Sequence, residues 1–260
     1  MIHRLMPIAL IAAVSLPLHA QARGDFHWEK ALASGNEVSL QNVNGDIKVV
    51  PSTNGRVSVV GIKRGRDADR LKVNVEETSH GAVVCVVYDD AGSTCNDRRD
   101  YRRGDHSWND GSINLEVAVP DNVTVSAGSV SGDVSLTGTH GDVQAHTVSG
   151  NVRLDRLRAT SVSAHSVSGD VDVHVDQFAG NGDLSFHTVS GNVSLSLPKQ
   201  LDADVTMSSV SGGMDSDYPI TIGAGNHRMS RHRIEARIGS GGRRLELRTV
   251  SGDVQLRMNK

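Results

Sequence analysis

Three histidines recur at one place in successive segments of the chain: His146, His165 and His187 each stand two residues before the valine of a repeated Ser/Thr-Val-Ser-Gly motif. Stacked on neighbouring strands about 4.8 Å apart, such imidazoles have the chemistry of a zinc or copper site. They could also act as a pH sensor, repelling one another once protonated. The phase of the pattern argues against a closed site, because Phe186 reads as inward and His187 therefore as outward. Gly128, Ser208 and Arg248 fill the same column, so the plainer reading is a solvent-facing position that takes any polar residue.

The polar stretch from Asp89 to Gly111 is the longest non-repetitive one and offers a different chemistry. Arg98, Arg99, Arg102 and Arg103 can hold anionic polysaccharide or lipid phosphate, with Tyr101 and Trp108 as stacking surfaces. Asp97, Asp100, Asp105 and Asp110 would neutralise the same segment. The only cysteines, Cys85 and Cys95, have neither metal-site nor redox-dithiol spacing. A structural disulfide is expected, contributing about 2–3 kcal/mol in the chain-entropy model.

An acidic column follows the motif glycines: Asp46, Asp133, Asn151, Asp170, Asn192 and Asp253. Calcium-binding repeats use a nine-residue Gly-Gly-x-Gly-x-Asp unit with several oxygens per turn. One carboxylate or carboxamide per repeat predicts corner hydrogen bonding instead. Asp172, Asp176, Arg153, Arg156 and Arg158 lie near an outward face of the kind on which β-helical polysaccharide lyases place their clusters, but no pair stands out by spacing. Nucleophile elbows, phosphate loops and His-Glu-x-x-His are absent. No catalytic residue and no cofactor are expected. A groove of mixed carboxylates and arginine across three or more repeats would mark an enzyme, whereas flat Ser/Thr/His ladders would mark a binding protein.

The elements that position these residues come from the repeat itself. The motif Ser/Thr-Val-Ser-Gly-Asp/Asn-Val places its first valine at Val130, Val148, Val167, Val189, Val210 and Val250, with a variant at Val43. The intervals are 18, 19, 22, 21 and 40 residues, the last reading as two ordinary repeats. Apolar residues recur five and three positions before that valine, as in Val143 and Ala145, and four and six after it, as in Val152 and Leu154. Each unit is thus two short strands with period-two alternation around a Ser-Gly-Asp/Asn turn. Such units bury their apolar faces only by stacking. The predicted fold is all-β, a parallel β-solenoid with coils of 18–22 residues. The alternative is an antiparallel β-sandwich.

Outside the regular block, further strands are expected at Arg56–Ile62, Leu71–Glu76, Ala82–Tyr88 and Ile113–Pro120, with a degenerate coil or excursion over Tyr218–Ile238. No helix is expected after the leader. Residues 1–22 read as a secretory signal, with a basic start at His3 and Arg4, an apolar run from Leu5 to Leu18, and Ala20-Gln21-Ala22 before the cut. The organisation is then 1–22 signal, 23–120 N-terminal β region with the disulfide-containing loop, and 121–260 regular repeats. The net charge of −3 does not suit a nucleic-acid surface. No second apolar stretch could span a membrane. Eight aromatics against 27 glycines suggest small-residue stacking rather than one large core. Stack ends expose strand edges and make self-association possible. Arg257 and Lys260 are expected to blunt one of them.

With these repeats and the ending Gly241-Gly242-Arg243-Arg244-Leu245-Glu246-Leu247-Arg248-Thr249-Val250-Ser251-Gly252-Asp253-Val254, the chain resembles the putative-adhesin β-strand-repeat family. The likeness runs from about Ala31 to Met258 and includes Val117-Ala118-Val119-Pro120. It implies a bacterial envelope protein, periplasmic or at the cell surface, that contacts an envelope protein, glycan or surface. It supplies no catalytic residues.

Overall fold

A computed structural model describes residues 26–89, 95, 110–221 and 229–259. The leader and the arginine-rich segment that includes Arg98, Arg99, Tyr101, Arg102, Arg103 and Trp108 lie outside these residues. Alternation of apolar and polar side chains produces short strands, and among the described residues the one helical element is a 3-10 turn at Ala68–Arg70. The all-β expectation holds.

The regular block is a set of two-strand coils. Each coil gives one strand to each of two sheets, with the Ser-Gly-Asp/Asn turn as the corner between them. Sheet B receives β8 (Thr124–Ser131), β10 (Val143–Ser149), β12 (Val162–Ser168) and β14 (Leu184–Ser190). Sheet A receives their continuations β9 (Val134–Thr137), β11 (Val152–Ala159), β13 (Val171–Phe178) and β15 (Val193–Leu197). All of these pair in parallel, with like on like: Val143 with Val162, Ala145 with Ala164, Leu154 with Val173. Parallel ladders in the repeats exclude the antiparallel sandwich. The core is therefore a set of continuous columns such as Val125, Val143, Val162 and Leu184, each at most 1% exposed.

The coils do not stack in sequence order at either end, which corrects the simple unit-on-unit expectation. In the N-terminal region β2 (Glu37–Asn44) and β3 (Ile47–Pro51) form the first coil, and β6 (Gly81–Tyr88) with β7 (Ser112–Val119) form the second. The second coil lies outside the first, so β2 pairs with both β6 and β8. Antiparallel strands cover this end. They are β1 (Phe26–Lys30) and β4 (Val57–Arg64) on sheet A, and β5 (Leu71–Thr78) on sheet B.

The C-terminal end mirrors this arrangement. Here β16 (Ala203–Ser211) and β17 (Met214–Ser216) take the outer place, while the last coil, β20 (Arg243–Ser251) and β21 (Val254–Met258), is inserted between them and β14/β15. The 40-residue interval is thus not two ordinary repeats. It holds an excursion with antiparallel β18 (Met229–Ser230) and β19 (Arg233–Ile238), the latter covering β16. Tyr218 is buried and donates its hydroxyl to the carbonyls of Leu197 and Pro198, both at 2.8 Å. Arg257 does not blunt an edge: β21 is interior, and its guanidinium bonds Asp215 at 2.7 Å and Asp217 at 3.0 Å. Lys260 lies outside the described residues.

Candidate functional site: corner ladders and the two outer faces

The motif residues at the corner bond one coil to the next. Asp133 accepts the backbone N–H of Asn151 at 2.7 Å, Asn151 that of Asp170 at 2.9 Å, Asp170 that of Asn192 at 2.7 Å and Asn192 that of Asp253 at 2.9 Å. The run begins with Asn114 and Asp46 and ends where Asp253 accepts from Gly213. From Asp133 to Asp253 the stacked side chains alternate strictly between carboxylate and carboxamide. Alternation keeps like charges two coils apart, and Asn151 and Asn192 also donate their side-chain amides to the aspartates below. The corner hydrogen bonding expected of this column is present.

A second ladder runs just inside it. The buried hydroxyls of Thr147, Ser166, Thr188 and Thr249 donate to the carbonyls of Gly132, Gly150, Gly169 and Gly191 at 2.8–2.9 Å. The motif glycines must be glycine for two reasons. Gly169, for example, has φ of +147°, and a Cβ there would overlap the carbonyl of Gly150. The first Ser/Thr, the Gly and the Asp/Asn of the motif thus have structural tasks, and the valine side chain has none. That valine is outward: Val148, Val167, Val189 and Val250 are 45–47% exposed and Val210 is 63% exposed. The signal for this stripe is period-two phase relative to the buried Thr147.

The histidine column lies beside that stripe on the outer face of sheet B. His146, His165 and His187 are in register on adjacent strands, and the His165 and His187 rings meet edge-on with centroids 4.9 Å apart. His146 lies over Gly128, whose place a Cβ would dispute. Ser163 bonds the His165 ring at 2.7 Å and Ser185 the His187 ring at 3.4 Å, while Glu246 approaches His187 to 3.9 Å. Partial burial holds all three rings below the ordinary histidine range, and mutual repulsion adds to this at His165. Among the described residues no group of three or more His, Cys, Asp or Glu is arranged to hold a metal ion. Across β8, β10, β12 and β14 this face carries Thr, Ser, Gln, Gly, His and Val, and no Asp, Glu, Lys or Arg. It is flat and uncharged at neutral pH.

The outer face of sheet A is charged instead. Arg153 pairs with Asp172 at 3.6 Å and Arg156 with Asp155 at 3.2 Å. His174 bridges Asp155 and Asp176, at 3.2 Å to each. The five residues with a lyase-like composition are therefore spread along the face: Arg153, Asp172, Arg156 and Asp176 sit in these pairs, and Arg158 pairs through its backbone with the 139–141 segment. An open trough does cross several coils here, lined by Asp46, Lys48, Glu116, Asp133, Arg153 and Asp172. Its corner aspartates already accept backbone N–H groups. Cys85 and Cys95 form a disulfide with Cα atoms 5.4 Å apart, tying Cys95 to β6.

No helix among the described residues is long and apolar enough to cross a membrane. A crystal structure of a putative cell adhesion protein from Clostridium sporogenes shares the fold, with a TM-score of 0.51 at 8% identity over 90% of this chain and 99% of that one. A putative adhesin from Bacteroides fragilis aligns with a TM-score of 0.41 at 14% identity, over 90% of this chain and 96% of its own. No curated protein matches. Residues 34–257 match the family described as Toastrack DUF4097, and the chain belongs to that family.

Proposed function

We propose that this chain is an exported, non-catalytic protein of the cell envelope, an adhesin-like or scaffolding β-solenoid that binds a partner protein, glycan or surface. The observation that carries this reading is the division of labour in the repeat. Its Asp/Asn, Ser/Thr and Gly columns are occupied in joining coils, which leaves flat outward ladders rather than convergent reactive groups. Such an array repeats an outward valine from coil to coil, at Val148, Val167, Val189, Val250 and Val210, one strand spacing apart. The uncharged β8–β14 part of the outer face of sheet B, with its valine and histidine columns, is the first candidate contact. The arginines 98, 99, 102 and 103 supply a second one for anionic ligands.

One observation favours a second reading, a solenoid that acts on polysaccharide. The trough on sheet A combines carboxylates with Arg153 across several coils, as a sugar-acting site would. The pairing of Arg153 with Asp172 and the backbone duties of Asp46 and Asp133 weigh against it.

Export is tested by mass spectrometry of the chain recovered from its own cells, combined with protease treatment of intact and permeabilised cells. The proposal expects a mature N-terminus at residue 23 and no full-length protein in the cytosol. Cleavage on intact cells places the contact at the surface, and cleavage only after permeabilisation places it in the periplasm. A cytosolic chain that retains Met1 contradicts the proposal.

A further inference from the structure

The inserted last coil is a repeat unit at the end of the chain that fills an interior slot. β20 lies between β14 and β16 in one common register: Leu184, Leu245 and Val205 form one row, and Phe186, Leu247 and Met207 another. The corner keeps the same stacking, because Gly252 rests on the carbonyl of Gly191 and Gly212 on that of Gly252. If β20/β21 left, β16/β17 could therefore close directly on β14/β15 in an equivalent register. The linkers allow both arrangements. Five residues join β13 to β14 in neighbouring coils, and five also join β15 to β16 across the slot.

Chain order favours the closed arrangement first. β16 and β17 precede β20 in the sequence, and nearby segments meet before distant ones because loop closure costs less. The last coil must then enter a stack already able to close without it. It is tethered by Gly239-Ser240-Gly241-Gly242, where Gly239, Gly241 and Gly242 all have positive φ. Contacts peculiar to the inserted state hold it there. The Arg243 guanidinium donates to the carbonyls of Thr160, Gly180 and Gly182 and lies over the Phe178 ring at 4.0 Å. Asn259 donates its side-chain amide to Val175 O at 2.9 Å.

We propose that the terminal coil, Arg243–Met258, is an exchangeable element that can seat in the β14/β15–β16/β17 slot of a second copy of this chain. A coil displaced from its own slot is a complete strand-corner-strand unit whose ladder partners exist in every other copy. Exchange of an identical element is a low-cost route to assembly, and repeat proteins are prone to it. The hinge is 239–242, and Arg243 is the latch.

The test uses two full-length variants, one carrying His187→Cys and the other Arg248→Cys, positions that are register partners across β14 and β20. Both are unfolded in urea with the Cys85–Cys95 bond intact, mixed, refolded together and oxidised. The proposal expects a disulfide-linked heterodimer that increases with protein concentration. It should exceed, several-fold, the product obtained when Arg233→Cys replaces Arg248→Cys. The double variant His187→Cys/Arg248→Cys reports whether the pair can join within one chain. If that intrachain bond forms and the mixture gives no heterodimer, the proposal is overturned. Equal cross-linking with the Arg233→Cys partner overturns it as well, since the contact would then not be the slot.

Discussion

Asp133 accepts the backbone N–H of Asn151 at 2.7 Å, and its carboxylate lies within 3.4 Å of the Asn151 side-chain amide. The relationship explains why the corner alternates between acid and amide. Replacing Asn151 with Asp would stack four carboxylates, Asp46, Asp133, residue 151 and Asp170, and remove the amide donor. Asn151→Asp should lower stability by about 1 kcal/mol at low salt, with part of the loss recovered at high salt. Asp170→Asn keeps the acceptor and should change stability by less than about 0.5 kcal/mol. Urea unfolding midpoints at two salt concentrations check both.

The glycine column gives a sharper contrast. Gly169→Ala puts a Cβ into the carbonyl of Gly150, whereas Gly55, at φ +71°, has open space around it. Gly169→Ala should cost upwards of about 2 kcal/mol. Gly55→Ala should cost about 1 kcal/mol, the strain of the left-handed region alone. Equal midpoints for the two variants would show that the corner yields without cost.

Acid should weaken the stack through the histidine column. His146, His165 and His187 titrate below their unfolded value because of partial burial, helped at His165 by its neighbours. The unfolded chain therefore binds more protons as pH falls below about 6.5. The stabilisation is complete above that pH and is lost as pH falls through the folded values. Glu246, near His187, opposes the effect in part. The unfolding midpoint should fall between pH 7.5 and 5.5, and by less in a His146→Gln, His165→Gln, His187→Gln variant. An identical fall in both would assign the pH dependence to other groups.

Arg243 is 5% exposed and its hydrogen bonds run to backbone carbonyls, not to a carboxylate. Burial lowers its affinity for the proton, and Asp183 offsets part of that. Arg243→Ala leaves the carbonyls of Thr160, Gly180 and Gly182 with unmet acceptors and should cost about 2–4 kcal/mol. Lys should restore little, because a single ammonium cannot reproduce the fork. Thermal unfolding of the three proteins decides this, and full rescue by Lys would contradict the assigned geometry.

Much of this architecture was legible from particular residues. The columns at Val143, Ala145, Val152 and Leu154 gave strands and phase, the Gly-Asp/Asn turn gave the corner, and the Phe186–His187 pair gave the outward direction of the histidines. The order of the coils was not legible. Val250 belongs to as good a repeat as Val189, and nothing local says that its coil enters between β14 and β16. That placement depends on long-range register and on the antiparallel cover supplied by β19. The exposed valine stripe escaped for a different reason. A valine among buried valines looks like core until its phase is compared with the inward Thr147, Ser166 and Thr188.

The central claim, binding without catalysis, is tested most directly on isolated envelopes of the source cells. Labelled mature chain is incubated with them, and bound protein and released soluble saccharide are followed together. The account predicts saturable retention, displaced by unlabelled chain, with no release of saccharide over time. Saccharide release that grows with time and is abolished by Arg153→Ala would contradict it and move the function to the trough on sheet A.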